Sequence, residues 1–187
     1  PGVAHANGSV AVWGGAWDEV GLDASGLDKL GEKVTPQTPV AELAALAARV
    51  GLSVNPGWGG GKLVEELFEH LVQPTLVNPT FVRDFPTEVS PLTKAHRSMP
   101  GESEKWELYI QGIELATAFS ELNDPIVQLE AFLAQARLAS RGDPEAMAFA
   151  EASLQRLRHA MPPDGGTGLR FERPLVTFRG CGRCDCA

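Results

Sequence analysis

The stretch EKWELYIQGIELATAFSELNDP, residues 104–125, alternates apolar and polar side chains on both sides of a Gln-Gly pair. Its halves read as two strands interrupted near Gln111 and Gly112. Glu107 and Glu114 lie an odd number of positions apart, so in one continuous strand they would face opposite ways. A bulge or tight turn at Gln111 and Gly112 returns both to one face. Two carboxylates on one sheet surface are hard oxygen ligands of the kind Mg²⁺ takes, one or two at a time, with phosphate oxygens alongside. Thr117, Phe119 and Glu121 share a strand face by parity and bring a hydroxyl, an aromatic wall and a negative charge, a set suited to a small cationic ligand. Acidic residues alternating with apolar ones also mark an ordinary strand with one wet face, and the pattern alone leaves both readings open.

On the C-terminal side, Asp124 and Pro125 open a helix with Ile126, Leu129, Phe132 and Leu133 read as inward, and Gly142-Asp-Pro opens another reaching about His159. MPPDGGTGLRFERPLVTF, residues 161–178, reads as a Gly-rich turn leading into a short extended segment. Within it Gly165, Gly166 and Gly168 allow close backbone approach, and Arg173, next to Glu172, offers a fork that suits phosphate. Many such glycine runs are only turns. On the N-terminal side, residues 74–86 predict a strand through Thr80 to Phe85, followed by a polar loop over residues 90–104. Two helices precede it. Val40, Leu43, Ala44, Leu46, Ala47 and Val50 have helical spacing and stop at Gly51. After a turn at Asn55-Pro-Gly, Leu63, Val64, Leu67, Phe68 and Leu71 line one face and Lys62, Glu65, Glu66 and Glu69 the other, with His70 as a solvated or core-edge histidine. The first thirty residues predict irregular structure with one short strand around Val10 to Trp13. The order of elements suits an antiparallel sheet flanked by helices, an α+β domain.

The chain has 187 residues, the length of one globular domain. Its 24 acidic against 16 basic side chains give a net charge of -8, which excludes nucleic-acid binding by simple phosphate neutralisation over the whole chain. No apolar run approaches the roughly 18 residues of a membrane span. The start has no signal-peptide pattern, so the expected setting is the reducing cytoplasm, without membrane contact by this chain. A first residue Pro1 rather than Met points to a piece of something longer. Cys181, Cys184 and Cys186 all fall in the last seven residues, so disulfides cannot staple the body. CGRCDC lacks the fourth ligand of a structural zinc site and reads as part of a loose tail, residues 179–187.

Taken together, PTFVRDFPTEVSPLTKAHRS, EKWELYIQGIELATAFSELNDP, GDPEAM and MPPDGGTGLRFER resemble, in order and spacing, the C-terminal half of the catalytic domain of class II lysyl-tRNA synthetases. The likeness is closest to the actinobacterial type, including the form fused to a lysyl-phosphatidylglycerol synthase. It runs roughly from Val34 to Arg173, which divides the chain into a poorly defined segment 1–33, a catalytic-core segment 34–178 with motif 3 at 165–173, and the tail. The resemblance implies a partial class II aminoacyl-tRNA synthetase fold that condenses lysine with ATP and then charges tRNA. It implies that Glu107 and Glu114 hold Mg²⁺ and the ATP phosphates, that Thr117, Phe119 and Glu121 line the lysine pocket, with Glu121 facing the ammonium, and that Gly166, Gly168 and Arg173 form the ATP-binding motif 3. Arg173 is then the catalytic arginine on the γ-phosphate.

Nothing between Pro1 and Leu30 resembles motif 2, which carries the family's second arginine, and motif 1, the family's homodimer element, has no counterpart either. The chain alone is therefore expected to be inactive. Arg170 stands where motif 3 has another glycine, Glu172 replaces its Asp, and the text after Pro174 departs from the family pattern. Two alternatives follow: a degenerate paralogue that binds lysine or a partner without activating it, and a ligase that supplies lysine to elongation factor P or, through lysyl-tRNA, to lipid.

Overall fold

The computed structural model describes residues 2–4, 10–12, 14–22, 34–35, 37–140, 142, 146–147, 151–159 and 161–170. Strands β1 (Gly2–Ala4) and β2 (Val10–Val12) pair antiparallel as a small separate sheet. Strand β3 (Asp18–Gly21) is followed by helices α1 (Val40–Arg49) and α2 (Gly60–Leu71), then by β4 (Thr80–Pro86), β5 (Glu102–Ile110) and β6 (Ile113–Ser120). Helices α3 (Pro125–Ser140) and α4 (Glu151–Arg158) precede β7 (Gly165–Leu169). The main sheet has the order β3-β4-β5-β6-β7. The α+β reading holds. The sheet is antiparallel at every pairing but one, since β3 runs parallel to β4, with Asp18 opposite Thr80.

The interruption at Gln111 and Gly112 is the two-residue turn of a hairpin, with Ile110 opposite Ile113. Both turn residues have positive φ, 54° and 72°, the combination that matches the twist of paired strands. Gly112 is needed twice over, because a Cβ there would also come within 3.2 Å of the Gln73 carbonyl. A second irregularity lies between Leu108 and Tyr109, where the β5/β6 register shifts.

Helices α1 and α2 form the core with the sheet. Leu43, Leu46, Leu63, Val64, Leu67 and Phe68 are buried in one cluster with Val82, Phe85 and Tyr109. The ring of Phe68 meets that of Tyr109 edge-on, 5.9 Å between centroids. Lys62, expected on the solvent side of α2, is buried; Glu65 and Glu66 each stand 3.0 Å from its ammonium and neutralise it. His70 is exposed.

Three other expectations change. The glycine run is not a turn but the strand β7, its backbone paired with β6 from Ala116 opposite Leu169 to Ser120 opposite Gly165. The 90–104 loop is partly a sheet filler, with Thr93 bridging Glu121, Ala95 bridging Ser103, and β5 already begun at Glu102. In α3, Ile126 and Leu133 point outward and the buried face is Gln128, Phe132 and Gln135. The physical reason is the partner: α3 lies against a stretch without strand pairing, and Gln128 and Gln135 donate to the carbonyls of Pro91 and Glu88, both at 2.9 Å. The helix expected from Gly142-Asp-Pro does not begin there: Gly142 lies in a turn, Ala146 and Met147 are not helical, and α4 is described only from Glu151. The three cysteines lie outside the described residues. No helix among the described residues is long and apolar enough to cross a membrane.

Candidate functional site

Cross-strand register places the residues singled out in β5 and β6. Glu107 lies opposite Thr117, and Tyr109 opposite Glu114. Opposed residues share a face, and Glu107 and Tyr109 share one as alternate positions of β5. Leu115 is the extra residue of the bulge, and without it Glu114 and Thr117, three apart, would face opposite sides. The hairpin and the bulge together therefore bring Glu107, Glu114, Thr117 and Phe119 to one face. On β7, Gly168 lies opposite Thr117 and Gly166 opposite Phe119. The strand beside the cluster thus adds no side chain at these two positions.

Glu121 continues the row just beyond β6. A Cβ at Gly166 would overlap the Glu121 carboxylate, so the glycine is what lets this carboxylate lie over β7. Loss of solvation raises the Glu121 pKa, and Asp164 adds to the shift. A carboxylate held in this way gains from a cation. A cavity of about 390 Å³ reaches Glu121, with Leu92, Leu122, Gln128, Arg156 and Met161 in its wall. A second, of about 440 Å³, lies among Arg83, Asp84, His96, Trp106 and Thr167; it touches Phe119 and Gly166 but none of the three carboxylates.

Two partners of Glu107 were not singled out in the sequence. The Lys105 ammonium stands 2.7 Å from Oε1, and the Tyr109 hydroxyl donates to Oε2 at 2.5 Å. Parity contained the signal, since both residues are two positions from Glu107. Burial, then the Glu107 and Glu114 charges, push the Tyr109 pKa well up, so its hydroxyl stays a donor. Glu114 faces the Arg170 guanidinium at 3.7 Å. The Thr117 hydroxyl donates to the Trp106 carbonyl at 3.4 Å, the long end of the range. Arg173 and Glu172 lie outside the described residues.

No group of three or more His, Cys, Asp or Glu among the described residues is arranged to hold a metal ion. Two carboxylates on one face beside side-chain-free glycines are a donor set for a metal whose shell a ligand completes.

An α+β core with an acidic sheet face and a glycine strand at its edge is the frame in which these motifs sit. Over residues 17–182 the chain matches the family described as tRNA synthetases class II (D, K and N), and it belongs to that family. The match begins upstream of Val34, where the motif resemblance starts, and takes in β3. A lysine–tRNA ligase of Kineococcus radiotolerans is 50% identical over 181 residues, 96% of this chain and 36% of that protein. A lysine–tRNA ligase of Mycobacterium tuberculosis is 48% identical over 180 residues, 93% of this chain and 36% of its own. The lysylphosphatidylglycerol biosynthesis bifunctional protein LysX of Nocardia farcinica is 50% identical over 151 residues, 81% of this chain and 13% of that protein. The chain spans about a third of the length of the lysine–tRNA ligases it matches.

Proposed function

We propose that this chain is a lysine-activating core segment of a lysine–tRNA ligase, acting on lysine, ATP and tRNA. The observation that carries the reading is the single sheet face with Glu107, Glu114, Thr117 and Phe119, continued by Glu121 over Gly166. Glu121 would pair with the lysine side-chain ammonium, and Phe119 would wall its methylenes. Glu107 and Glu114 would hold Mg²⁺, which when bound neutralises phosphate charge. Gly166 and Gly168 leave room for a nucleotide along β7, and Arg173 would grip its γ-phosphate.

In this reading a lysine carboxylate oxygen attacks the α-phosphorus, pyrophosphate leaves, and the product is lysyl-adenylate. A tRNA terminal hydroxyl then attacks the lysyl carbonyl and releases AMP. No side-chain nucleophile is needed, so the protein contributes alignment and charge placement. Calorimetry on the chain tests the pocket. Lysine should bind in preference to leucine, and Glu121→Ala should weaken it about tenfold or more, the loss expected for a charge-assisted bond. Equal binding of lysine and leucine refutes the reading. Lysine-dependent ATP–pyrophosphate exchange by the chain alone should stay at background, because nothing between Pro1 and Leu30 resembles motif 2, which carries the family's second arginine.

A second reading, a paralogue that binds lysine without activating it, is favoured by Arg170, which faces Glu114 from a position where the family motif has glycine. Lysine supplied to elongation factor P or, through lysyl-tRNA, to lipid would use the same pocket.

A further inference from the structure

Gly166, Gly168 and Arg170 are alternate positions, and pairing with β6 continues past the end of β7, where the Arg170 amide donates to the Leu115 carbonyl at 3.0 Å. All three therefore address the face that carries Thr117 and Phe119. The first two add no side chain to it; the third adds a long cationic one. Its guanidinium stands 3.7 Å from Oε2 of Glu114, which is 19% exposed, while the arginine side chain itself is 57% exposed. The Arg170 charge reaches the face from solvent. Glu107 has its own cation in Lys105, which is 16% exposed and 2.7 Å away.

We propose that Arg170 is a built-in competitor for divalent metal at Glu114, so that this chain takes Mg²⁺ more weakly than it would with an uncharged residue there. The inference rests on the reading of Glu107 and Glu114 as the metal carboxylates. A guanidinium compensates one carboxylate charge, and a divalent ion must displace it before that carboxylate can coordinate. An exposed ion pair is weak, so the competition lowers affinity by a factor and does not abolish binding.

The test is Mn²⁺ titration of the full chain, with free Mn²⁺ followed by electron paramagnetic resonance. The proteins compared are wild type, Arg170→Gly, Arg170→Leu, Arg170→Lys and the double variant Glu107→Gln, Glu114→Gln. Arg170→Gly and Arg170→Leu should both bind about two- to fivefold more tightly, with Arg170→Lys close to wild type. Equal affinity of wild type, the glycine variant and the leucine variant overturns the proposal. So does a gain confined to glycine, which would make bulk the cause and not charge. The double variant should lose the binding. If it binds Mn²⁺ as wild type does, the carboxylate reading has failed, and the inference falls with it.

Discussion

Gly166 and Gly168 occupy equivalent alternate positions on β7, yet a methyl group would meet different things at each. At Gly166 it overlaps the Glu121 carboxylate; at Gly168 it rests 3.5 Å from the Thr117 methyl, an ordinary contact. Gly166→Ala should therefore displace Glu121 and weaken lysine binding about tenfold, whereas Gly168→Ala should change it by no more than about twofold. Calorimetry on the two variants, with circular dichroism to confirm that both remain folded, checks the pair. A similar loss in both would mean that β7 needs glycine for its backbone and not for Glu121. Residue types were readable here: an acid, an aromatic and a hydroxyl at alternating positions, then glycines. Their neighbours were not. Arg170 on Glu114 depends on cross-strand register, which no periodicity records; Lys105 shares a β5 face with Glu107, and side-chain reach then brings its ammonium to the carboxylate.

Helix α2 has a similar division. Its apolar stripe was plain, and Leu63, Val64, Leu67 and Phe68 are all buried. What holds its N-terminus came from 27 residues away, where the Glu88 carboxylate accepts the Gly61 amide at 3.0 Å. This places a negative charge on the positive end of the helix dipole and satisfies a donor that has no partner within the helix. It also accounts for the glycines at the start: a Cβ at Gly59 would overlap the Glu88 carboxylate, and one at Gly61 would lie 2.8 Å from its Cβ. Glu88→Ala should cost about 1–2 kcal/mol in urea unfolding, and Glu88→Gln, which keeps an acceptor, should cost less. Equal losses would show that the charge contributes nothing. On α3 the apolar spacing holds at Phe132, which is buried, but not at Ile126 and Leu133, which are exposed, for a related reason: apolar spacing points inward only when the partner is apolar. Here the partner offers bare carbonyls, which selected Gln128 and Gln135.

The helical layer and the sheet together set a pH dependence. Loss of solvation, then the Glu65 and Glu66 charges, raise the Glu69 pKa from 4.5 to about 7; Glu107 adds to this and Lys62 opposes it. The folded chain thus holds a proton that the unfolded chain releases near pH 4.5. Glu69's contribution is complete below that value and is lost as pH rises through about 7. Urea midpoints at pH 5 and pH 8 should therefore fall further in wild type than in Glu69→Gln. Parallel profiles would show that Glu69 has no part in the loss.

The alternation through residues 104–125, the glycine run and the helical stripes already specified an α+β sheet protein, its acidic strand face and its family, because local periodicity and motif order are written along the chain. The parallel pairing of β3 with β4, the bulge that turns Glu114 to the side of Thr117, and the Arg170 cation set against Glu114 were decided only by folding. Each depends on which distant residues come into register, and register follows from long-range packing and backbone hydrogen bonding, not from the composition of any one segment.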